Sequence, residues 1–333
     1  MSRRLLLLAA ALGSLVPAAG APDANPIATT LALFAGTSAG LRLSRDWGAT
    51  WDPRDPAMAD GLQSVGAVRA IVPLGPTIYL GGDGGLYVSD DFGRTWEKLG
   101  VLGSVQCILL SRYFDAEPIV LVGTQEGLLR SENAGRTFHA TGLRGTPVTR
   151  LEWPGPALVA ATGRGVLVST DGGTTFAAAG EGLPEGEVGA MAVSSFYPID
   201  PVLFVGVGNG VFRSGDGGRT WKKAGLSDQA VTDLAWMGPF LYACTNGGLY
   251  ITQDMGATWQ RLTDGLTDVT PTRIFFPAAP DSSAEAFLAT ERGIFRTPDG
   301  GRHWLPTGFK DEAALLVSAF PPAPKLGRGK KKS

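Results

Sequence analysis

The segment Ser89–Trp96 reads Ser-Asp-Asp-Phe-Gly-Arg-Thr-Trp, and it is one of seven similar segments, called box segments here. All follow the pattern Ser/Thr-x-Asp-x-Gly-x-Thr-Trp/Phe, except that the third has Asn for Asp and the seventh has His303 for Thr. The third residues of the seven box segments are Asp46, Asp91, Asn133, Asp171, Asp216, Asp254 and Asp299. Successive copies lie about 42 residues apart, which is the length of one four-stranded propeller blade.

The box segment has the chemistry of a tight turn between two strands. An aspartate accepts hydrogen bonds from backbone N–H groups further along the turn, and glycine adopts the left-handed conformation that such a turn needs. The threonine then starts the next strand, and the aromatic residue anchors it by packing. Seven carboxylates could instead serve metal binding or catalysis. One turn repeated in every unit is more typical of a scaffold, so we interpret these residues as structural.

The rest of each repeat predicts three further strands. An apolar strand such as Val68–Val72 comes first, followed by two short strands around a glycine turn, as in Ile78–Ser89. We label the four strands A to D, with the box segment at the C–D turn. The A–B turn is short and contains Gly-Pro in repeats 2, 4 and 6, and it is longer in repeats 3, 5 and 7. The prediction is an all-β, seven-bladed propeller with four antiparallel strands per blade.

The first repeat has no strand A before Thr30, and the missing strand is predicted at the other end of the chain. The stretch Leu316–Pro321 is similar to Ala192–Tyr197, which belongs to strand A of repeat 5. We therefore expect a composite first blade, with its innermost strand from about Ala313–Phe320 and its outer three strands from about Thr29–Pro53. This 3+1 closure by the C-terminal strand removes the open edges of the array.

The two ends of the chain predict export and a basic tail. Residues 1–21 combine two arginines, an apolar stretch and a small-residue cleavage site, which is typical of a signal peptide; the alternative, a membrane anchor, needs a longer apolar run. Residues 22–28 follow as a short linker, 29–320 form the propeller, and 321–333 form a disordered basic tail. We expect a periplasmic or extracellular protein. Its tail either keeps the protein soluble or makes a weak contact with anionic lipid or an acidic partner.

Composition restricts the chemistry further. Glycine makes up 47 of 333 residues, about twice its usual share of ~7%, which favours short strands and tight turns. With only two histidines and two cysteines, a His/Cys zinc site would need nearly all of them, and a disulfide scaffold is excluded. The formal net charge is −2 even with the basic tail, so the body of the chain is acidic and does not predict nucleic-acid binding. We expect no metal and no cofactor.

One aligned position in strand A varies most in residue type among the seven repeats. Aligning the repeats gives the column Ala70, Cys107, Arg150, Ala190, Asp233, Arg273 and Ala314. Three charges among small or apolar residues need water or charged partners. One interpretation is a polar patch that recognises an acidic partner segment. The other, which the sequence favours, is an internal Arg150–Asp233–Arg273 network lining a wet channel.

No catalytic constellation emerges from the remaining residues. His139 and His303 lie beside or inside box segments, at the periphery, so a Ser-His-Asp triad is not expected. Cys107 and Cys244 fall in nonadjacent repeats, too far apart for a disulfide. The free carboxylates do not stand out from ordinary loop charge, which puts a glycoside hydrolase below a binding module.

On these motifs the chain resembles the Asp-box, or BNR-repeat, propellers, a superfamily that includes sialidases, sortilins and xyloglucan hydrolases. In size and plan it is most similar to the photosystem II stability/assembly factor-like group, which consists of single exported rings. The resemblance covers nearly the whole predicted mature chain. It implies a non-enzymatic, monomeric scaffold or assembly factor that binds protein, in an envelope or membrane complex. A carbohydrate-active propeller, either hydrolase or lectin-like, is the alternative.

The two faces of such a ring differ in variability. The box segments occupy one face, called the box face, and their near identity offers little for selecting a partner. The opposite face, called the loop face, carries the B–C turns, the D–A connections and the charged channel mouth. The predicted partner-binding residues lie toward this face and are Arg69, Arg150, Arg164, Asp233, Arg273 and Arg292.

Overall fold

The computed structural model describes residues 32–52, 61–62, 64–194, 197, 199–277, 284–310 and 312–319. The expected signal peptide, linker and basic tail lie outside the described residues. None of the described residues forms a helix with the length and hydrophobicity that crossing a membrane would require.

The described chain contains 27 β-strands, and they follow the predicted order within each repeat. Blade 1 begins with β1 (Leu33–Thr37) and β2 (Gly40–Ser44). Blade 2 comprises β3 (Val68–Leu74), β4 (Thr77–Gly82), β5 (Gly85–Ser89) and β6 (Glu97–Lys98). Blade 3 comprises β7 (Val105–Leu110), β8 (Val120–Thr124), β9 (Gly127–Ser131) and β10 (His139–Arg144). Blade 4 comprises β11 (Val148–Glu152), β12 (Leu158–Thr162), β13 (Gly165–Ser169) and β14 (Ala177–Ala178).

The second half of the ring repeats this arrangement. Blade 5 comprises β15 (Val188–Val193), β16 (Leu203–Val207), β17 (Val211–Ser214) and β18 (Lys222–Lys223). Blade 6 comprises β19 (Val231–Met237), β20 (Phe240–Thr245), β21 (Gly248–Thr252) and β22 (Gln260–Leu262). Blade 7 comprises β23 (Pro271–Phe275), β24 (Ala286–Thr290), β25 (Gly293–Thr297) and β26 (Leu305–Lys310). The last strand, β27 (Ala314–Ala319), completes blade 1.

Each blade is an antiparallel sheet, and the ring closes as predicted. Blades 2 to 7 have four strands each, and blade 1 has the order β2-β1-β27, with one further bridge between Leu43 and Asp52 in the described part of the chain. Each innermost strand contacts the innermost strands of both neighbouring blades, and β27 lies between β23 and β3. The C-terminal strand therefore joins the N-terminal and C-terminal parts of the described chain in one sheet.

The core lies between the blades rather than within one sheet. The second strand of every blade is buried almost throughout, because neighbouring blades cover both of its faces. The outermost strands are exposed by contrast, as in β6, β14 and β18. Box aromatics such as Trp96, Trp221 and Trp304 are buried against these interfaces, which confirms their predicted anchoring role.

Every innermost strand carries a register irregularity near its start, and this corrects one part of the sequence alignment. In β3, Val68 pairs with Gly82 and Ala70 with Gly81, so one residue between them is skipped. In β27, Ala314 pairs with Thr37 and Leu316 with Gly36. The member of the aligned column in blade 1 is therefore Leu316, and the predicted Ala314 was wrong by two residues. A shift of two residues leaves every side chain on the same face of a strand, so the apolar pattern of the sequence does not reveal it.

The alternating A–B turns are also present. Two residues separate β3 from β4 and β19 from β20, whereas nine separate β7 from β8 and β15 from β16. The long loops fold back toward the box segments, where Phe114 packs edge-on against Tyr79 with ring centroids 6.1 Å apart. Because A–B and C–D turns occupy the same end of each blade, the box face carries these loops too.

Candidate functional site

The box segments form closely similar hydrogen-bonded turns, as the blade-5 copy shows. Asp216 Oδ1 accepts hydrogen bonds from the backbone N–H groups of Arg219 and Thr220, both at 2.9 Å, and Oδ2 accepts one from the Thr220 hydroxyl at 2.6 Å. The Ser214 hydroxyl donates to Asp216 Oδ1 at 2.7 Å and accepts from the Gly218 N–H at 2.8 Å. The corresponding Asp or Asn accepts the backbone N–H of the seventh box residue in all seven blades.

These bonds leave the box carboxylates little capacity for other chemistry. Hydrogen bonds from Thr175 lower the pKa of Asp171 to about 2, and those from Thr258 lower the pKa of Asp254 to about 2. The carboxylates are therefore ionised at neutral pH, with their oxygens occupied. In the described ranges no group of three or more His, Cys, Asp or Glu side chains is arranged to hold a metal ion.

The turn requires more left-handed backbone than the sequence pattern suggested. The box glycine has a positive φ in every blade, between 84° and 96°, as predicted. The residue before it also has a positive φ in every blade, including 57° at Ala134 and 59° at Met255. Such a conformation is costly for a residue with a Cβ, and glycine occupies the position in only three blades. The hydrogen bonds of the turn hold the other four there.

The three charged residues of the aligned column form a network across the channel. Arg150 lies 3.8 Å from Asp233 (Nη2 to Oδ1) and donates to the carbonyl of Thr232 at 3.2 Å. These contacts join blade 4 to blade 6, which is possible because Ala190 of blade 5 has almost no side chain in between. Asp233 also accepts the N–H of Ile274 at 3.1 Å. Arg273 reaches across from blade 7 to the carbonyl of Arg69 in blade 2, at 3.4 Å.

Burial governs the ionisation of this network. Burial raises the pKa of Asp233, and the charges of Arg273 and Arg150 oppose that rise. Burial and the nearby Arg150 charge lower the pKa of Arg273 to about 10, whereas Asp233 opposes this. Glu152, two residues beyond Arg150 on β11, has its pKa raised to about 7 by burial, with Arg150 opposing and Asp233 reinforcing the rise. Two carboxylates and two guanidinium groups are thus coupled inside the channel.

The other three predicted residues lie at the loop face in two different situations. Arg69 is paired with Asp83 at 2.6 Å, and Asp83 also accepts the Ser104 hydroxyl at 3.0 Å. Arg164 and Arg292 are exposed, each in a two-residue B–C turn. The structure therefore brings Arg150, Asp233 and Arg273 together and leaves Arg164 and Arg292 separate on blades 4 and 7.

A threonine at the end of strand B fixes the B–C turn in five blades. Its hydroxyl accepts the N–H two residues later, as from Arg164 to Thr162 and from Arg292 to Thr290, both at 3.1 Å. The same hydroxyl donates to the glycine carbonyl that ends the turn. The locking residues are Thr37, Thr124, Thr162, Thr245 and Thr290. Sequence analysis missed this second repeated motif, although its signal, Thr-x-x-Gly at the end of strand B, recurs in five of the seven repeats.

The sequence model of the BNR/Asp-box repeat matches residues 87–98, which include the second box segment. With seven such turns and a closed ring, the assignment follows. The chain is a seven-bladed BNR/Asp-box propeller. Blades 2 to 7 are four-stranded, and the first blade is completed by β27.

Solved structures similar to this propeller differ widely in origin. AFV00434, an ancestral GH74 enzyme, is 19% identical with a TM-score of 0.58, over 76% of this chain and 38% of that enzyme. YCF48 from Cyanidioschyzon merolae is 14% identical with a TM-score of 0.60, over 78% of this chain and 97% of that protein. The computationally designed Ika8 protein is 13% identical with a TM-score of 0.60, over 88% of this chain and 96% of Ika8.

These likenesses establish the fold alone, since all are below 25% identity and one neighbour is a designed protein. This propeller also spans only about two fifths of the GH74 enzyme. A search of curated protein sequences finds no significant match.

The box face of the propeller is less uniform than its repeated turns suggested. Tyr113 and Ile199, in the long A–B loops of blades 3 and 5, are 69% and 89% exposed. Tyr113 borders a cleft of about 390 Å³ that Trp153 and Pro156 also line. The expectation of near identity holds for the turns but was wrong for the face as a whole, because variable A–B loops share it.

The cysteines and histidines lie as expected. Cys107 and Cys244 are free thiols, the second fully buried. Burial raises the pKa of Cys107 to about 12, so it is an unreactive thiol. His139 is exposed on β10, and His303 bonds to Asp299 within its box segment at 2.5 Å.

Proposed function

We propose that this propeller is a non-enzymatic, exported scaffold that binds an acidic segment of a protein partner through its loop face. The observation that carries the proposal is the geometry of the B–C turns. All seven contain only two or three residues, so these turns do not build walls around the channel mouth. A shallow, open face fits a protein surface better than a buried small molecule.

The threonines at the end of strand B fix the backbone of the B–C turns on this face. Arg164 and Arg292 are held in their turns by hydrogen bonds to Thr162 and Thr290, and their side chains extend into solvent. A backbone that is already ordered reduces the entropy lost on binding, and arginine is enriched in protein interfaces. Both features support recognition of carboxylate groups on a partner.

The alternative function, glycoside hydrolysis, is supported by one specific observation, the pair of carboxylates in the channel. Glu152, with a pKa of about 7, could serve as a general acid, and Asp233 is the second carboxylate nearby. Against this, Asp233 is only 7% exposed and already bonds to Ile274, and the side chains of Arg150 and Arg273 extend across the channel. Among the described residues, these side chains stand between the channel mouth and that pair, which argues against access for a polysaccharide chain.

The resemblance to the assembly-factor group and the similarity in size to YCF48 support a role in building or stabilising an envelope or membrane complex. Monomeric behaviour and periplasmic or extracellular location belong to the same proposal. Photosystem involvement is not part of it, because nothing in the described residues selects that partner over another acidic protein.

The first experiment separates binding from hydrolysis. The purified protein is screened against a glycan array and a panel of polysaccharides, with Glu152→Gln as the matched variant. We expect neither glycan binding nor turnover. Turnover that survives purification and disappears in Glu152→Gln would establish the hydrolase instead.

The second experiment tests the face by cross-linked pull-down from the native envelope. We expect the double charge reversal Arg164→Glu/Arg292→Glu to reduce recovery of the partner about tenfold or more. Arg136→Glu, on the exposed part of a box segment, is the matched charge control and should not change recovery. If Tyr113→Ala reduces recovery and the arginine variants do not, the partner binds the box face and the assignment of the loop face is wrong.

A further inference from the structure

The residue immediately before the box segment is not the same in all seven blades. It is arginine in blades 3, 5 and 7, namely Arg130, Arg213 and Arg296. The other four blades have an aliphatic residue there, namely Leu43, Val88, Val168 and Ile251. The three arginines thus hold the same place in the fold and can be compared directly.

Two of these arginines have internal acceptors. Arg130 donates through Nε and Nη2 to Glu132, both at 3.2 Å, and through Nη1 to the carbonyl of Gly172 in the next blade at 2.8 Å. Arg296 is hydrogen-bonded through Nε to Glu285. Each guanidinium group is neutralised by a carboxylate of its own blade.

Arg213 has no such acceptor. Within the described part of the chain it makes no side-chain hydrogen bond and no ion pair, and its Nε is shielded from solvent without a partner. The reason lies in the box segment, where Gly215 occupies the position of Glu132 in blade 3. A shielded N–H of a charged group without an acceptor is costly unless a ligand supplies one.

The space beside Arg213 is open and carries further positive charge. A groove of about 490 Å³ lies between blades 5 and 6, lined by Arg213, Lys222 and Lys223. Lys222 stands directly opposite Arg213 in the β17–β18 pairing, and like charges in that arrangement destabilise a sheet. The carboxylates of Asp216 and Asp254 also line the groove, but their box hydrogen bonds already engage them.

We propose that this groove binds a phosphate or sulfate group, with Arg213 as its main hydrogen-bond donor and Lys222, its cross-strand neighbour, as a supporting charge. Two adjacent cationic side chains suit a group that carries two negative charges and several oxygens better than a single carboxylate. The site lies on the outer rim near the box face, so it is distinct from the proposed partner-binding arginines.

The proposal is tested by titrating the purified protein with inorganic phosphate, sulfate and acetate, followed by calorimetry and by NMR of the backbone amides. We expect saturable binding of phosphate or sulfate at millimolar concentration, with amide shifts centred on Arg213 and the blade-6 box segment, and weaker binding of acetate. Arg213→Val should lower the affinity about tenfold or more. Valine occupies this position in blades 2 and 4, so the fold should tolerate it.

Two further variants distinguish the site from general surface charge. Gly215→Glu reproduces the blade-3 arrangement, and a side chain built at Gly215 meets only the Arg213 guanidinium, with the Cβ 3.9 Å from Nη2. It should abolish phosphate binding while retaining every cation. Arg130→Val, the matched control, should leave the affinity unchanged. Absence of saturable binding, equal binding of acetate, or equal losses in Arg130→Val and Arg213→Val would each overturn the proposal.

Discussion

The box turns and the innermost strands each occur seven times, yet they differ in what the ring requires of them. The hydrogen bonds that define a box turn run within its own segment, so the same solution serves all seven positions. The innermost strands converge on one shared channel, where a side chain of blade 4 contacts blade 6. Residues at the rim can therefore repeat, whereas residues at the channel must be chosen together.

The largest expected effect on stability comes from removing Asp233, the only acidic residue of the aligned column in the channel network. Asp233→Ala leaves Arg150 and Arg273 facing each other without the charge between them. We expect a loss of about 3–5 kcal/mol in the free energy of unfolding, because a buried charge loses its partner. Urea unfolding followed by tryptophan fluorescence measures it.

Additional removal of Arg273, as Asp233→Ala/Arg273→Met, should restore part of that stability. A double variant that is less stable than the sum of the single variants would show that the residues act separately rather than as a network.

Substitutions in a box turn should lower the free energy of unfolding less than Asp233→Ala does. Within the turn, loss of the buried Ser214 hydroxyl should lower it more than loss of the Asp216 carboxylate. Ser214→Ala removes the acceptor of the buried Gly218 N–H, so we expect a loss of about 1–3 kcal/mol. Asp216→Ala should also destabilise, but less, since that carboxylate is solvent-exposed. Both losses are read from urea midpoints of the two variants.

Neither box variant should change affinity for a loop-face partner. If Asp216→Ala lowers the free energy of unfolding more than Asp233→Ala does, the proposed difference between the box turns and the channel network is wrong.

The smallest effect concerns the one box turn that departs from the pattern by using His303. Its hydrogen bond to Asp299, together with the charges of Asp299 and Asp264, raises the pKa of His303 above its ordinary 6.5. Because the folded pKa is the higher one, protonation stabilises the fold below the unfolded value, and this contribution is lost as pH rises through the folded value.

The variant His303→Thr restores the residue of the other six boxes. We expect its urea midpoint relative to the parent to rise as the pH increases from below 6.5 through the raised folded pKa of His303, since only the parent loses a charged contact over that interval. His139→Thr is the matched control, because His139 is exposed outside any box segment. A pH-independent difference would show that the Asp299 contact does not depend on the proton.

The two regions also differ in how far the sequence predicted them. The box hydrogen bonds, the glycine conformation and the C-terminal closure followed from a local pattern, and the structure confirms them. The meeting of Arg150 with Asp233 was one of two interpretations, because sequence alignment places residues in a column but not across a channel. Glu152 was missed, since its raised pKa arises from burial by other blades and not from its neighbours in sequence.

The pairing of β1 with β27 also imposes an order in time. A ribosome releases β1 early and β27 last of the described strands, so the inner edge of β1 stays unpaired while six complete blades are made. Such long-range pairing is slow to form, and an unpaired edge can capture a strand from another molecule. The ring therefore closes in one late step, and a chain that stops before Ala314 retains a free edge through which copies can join.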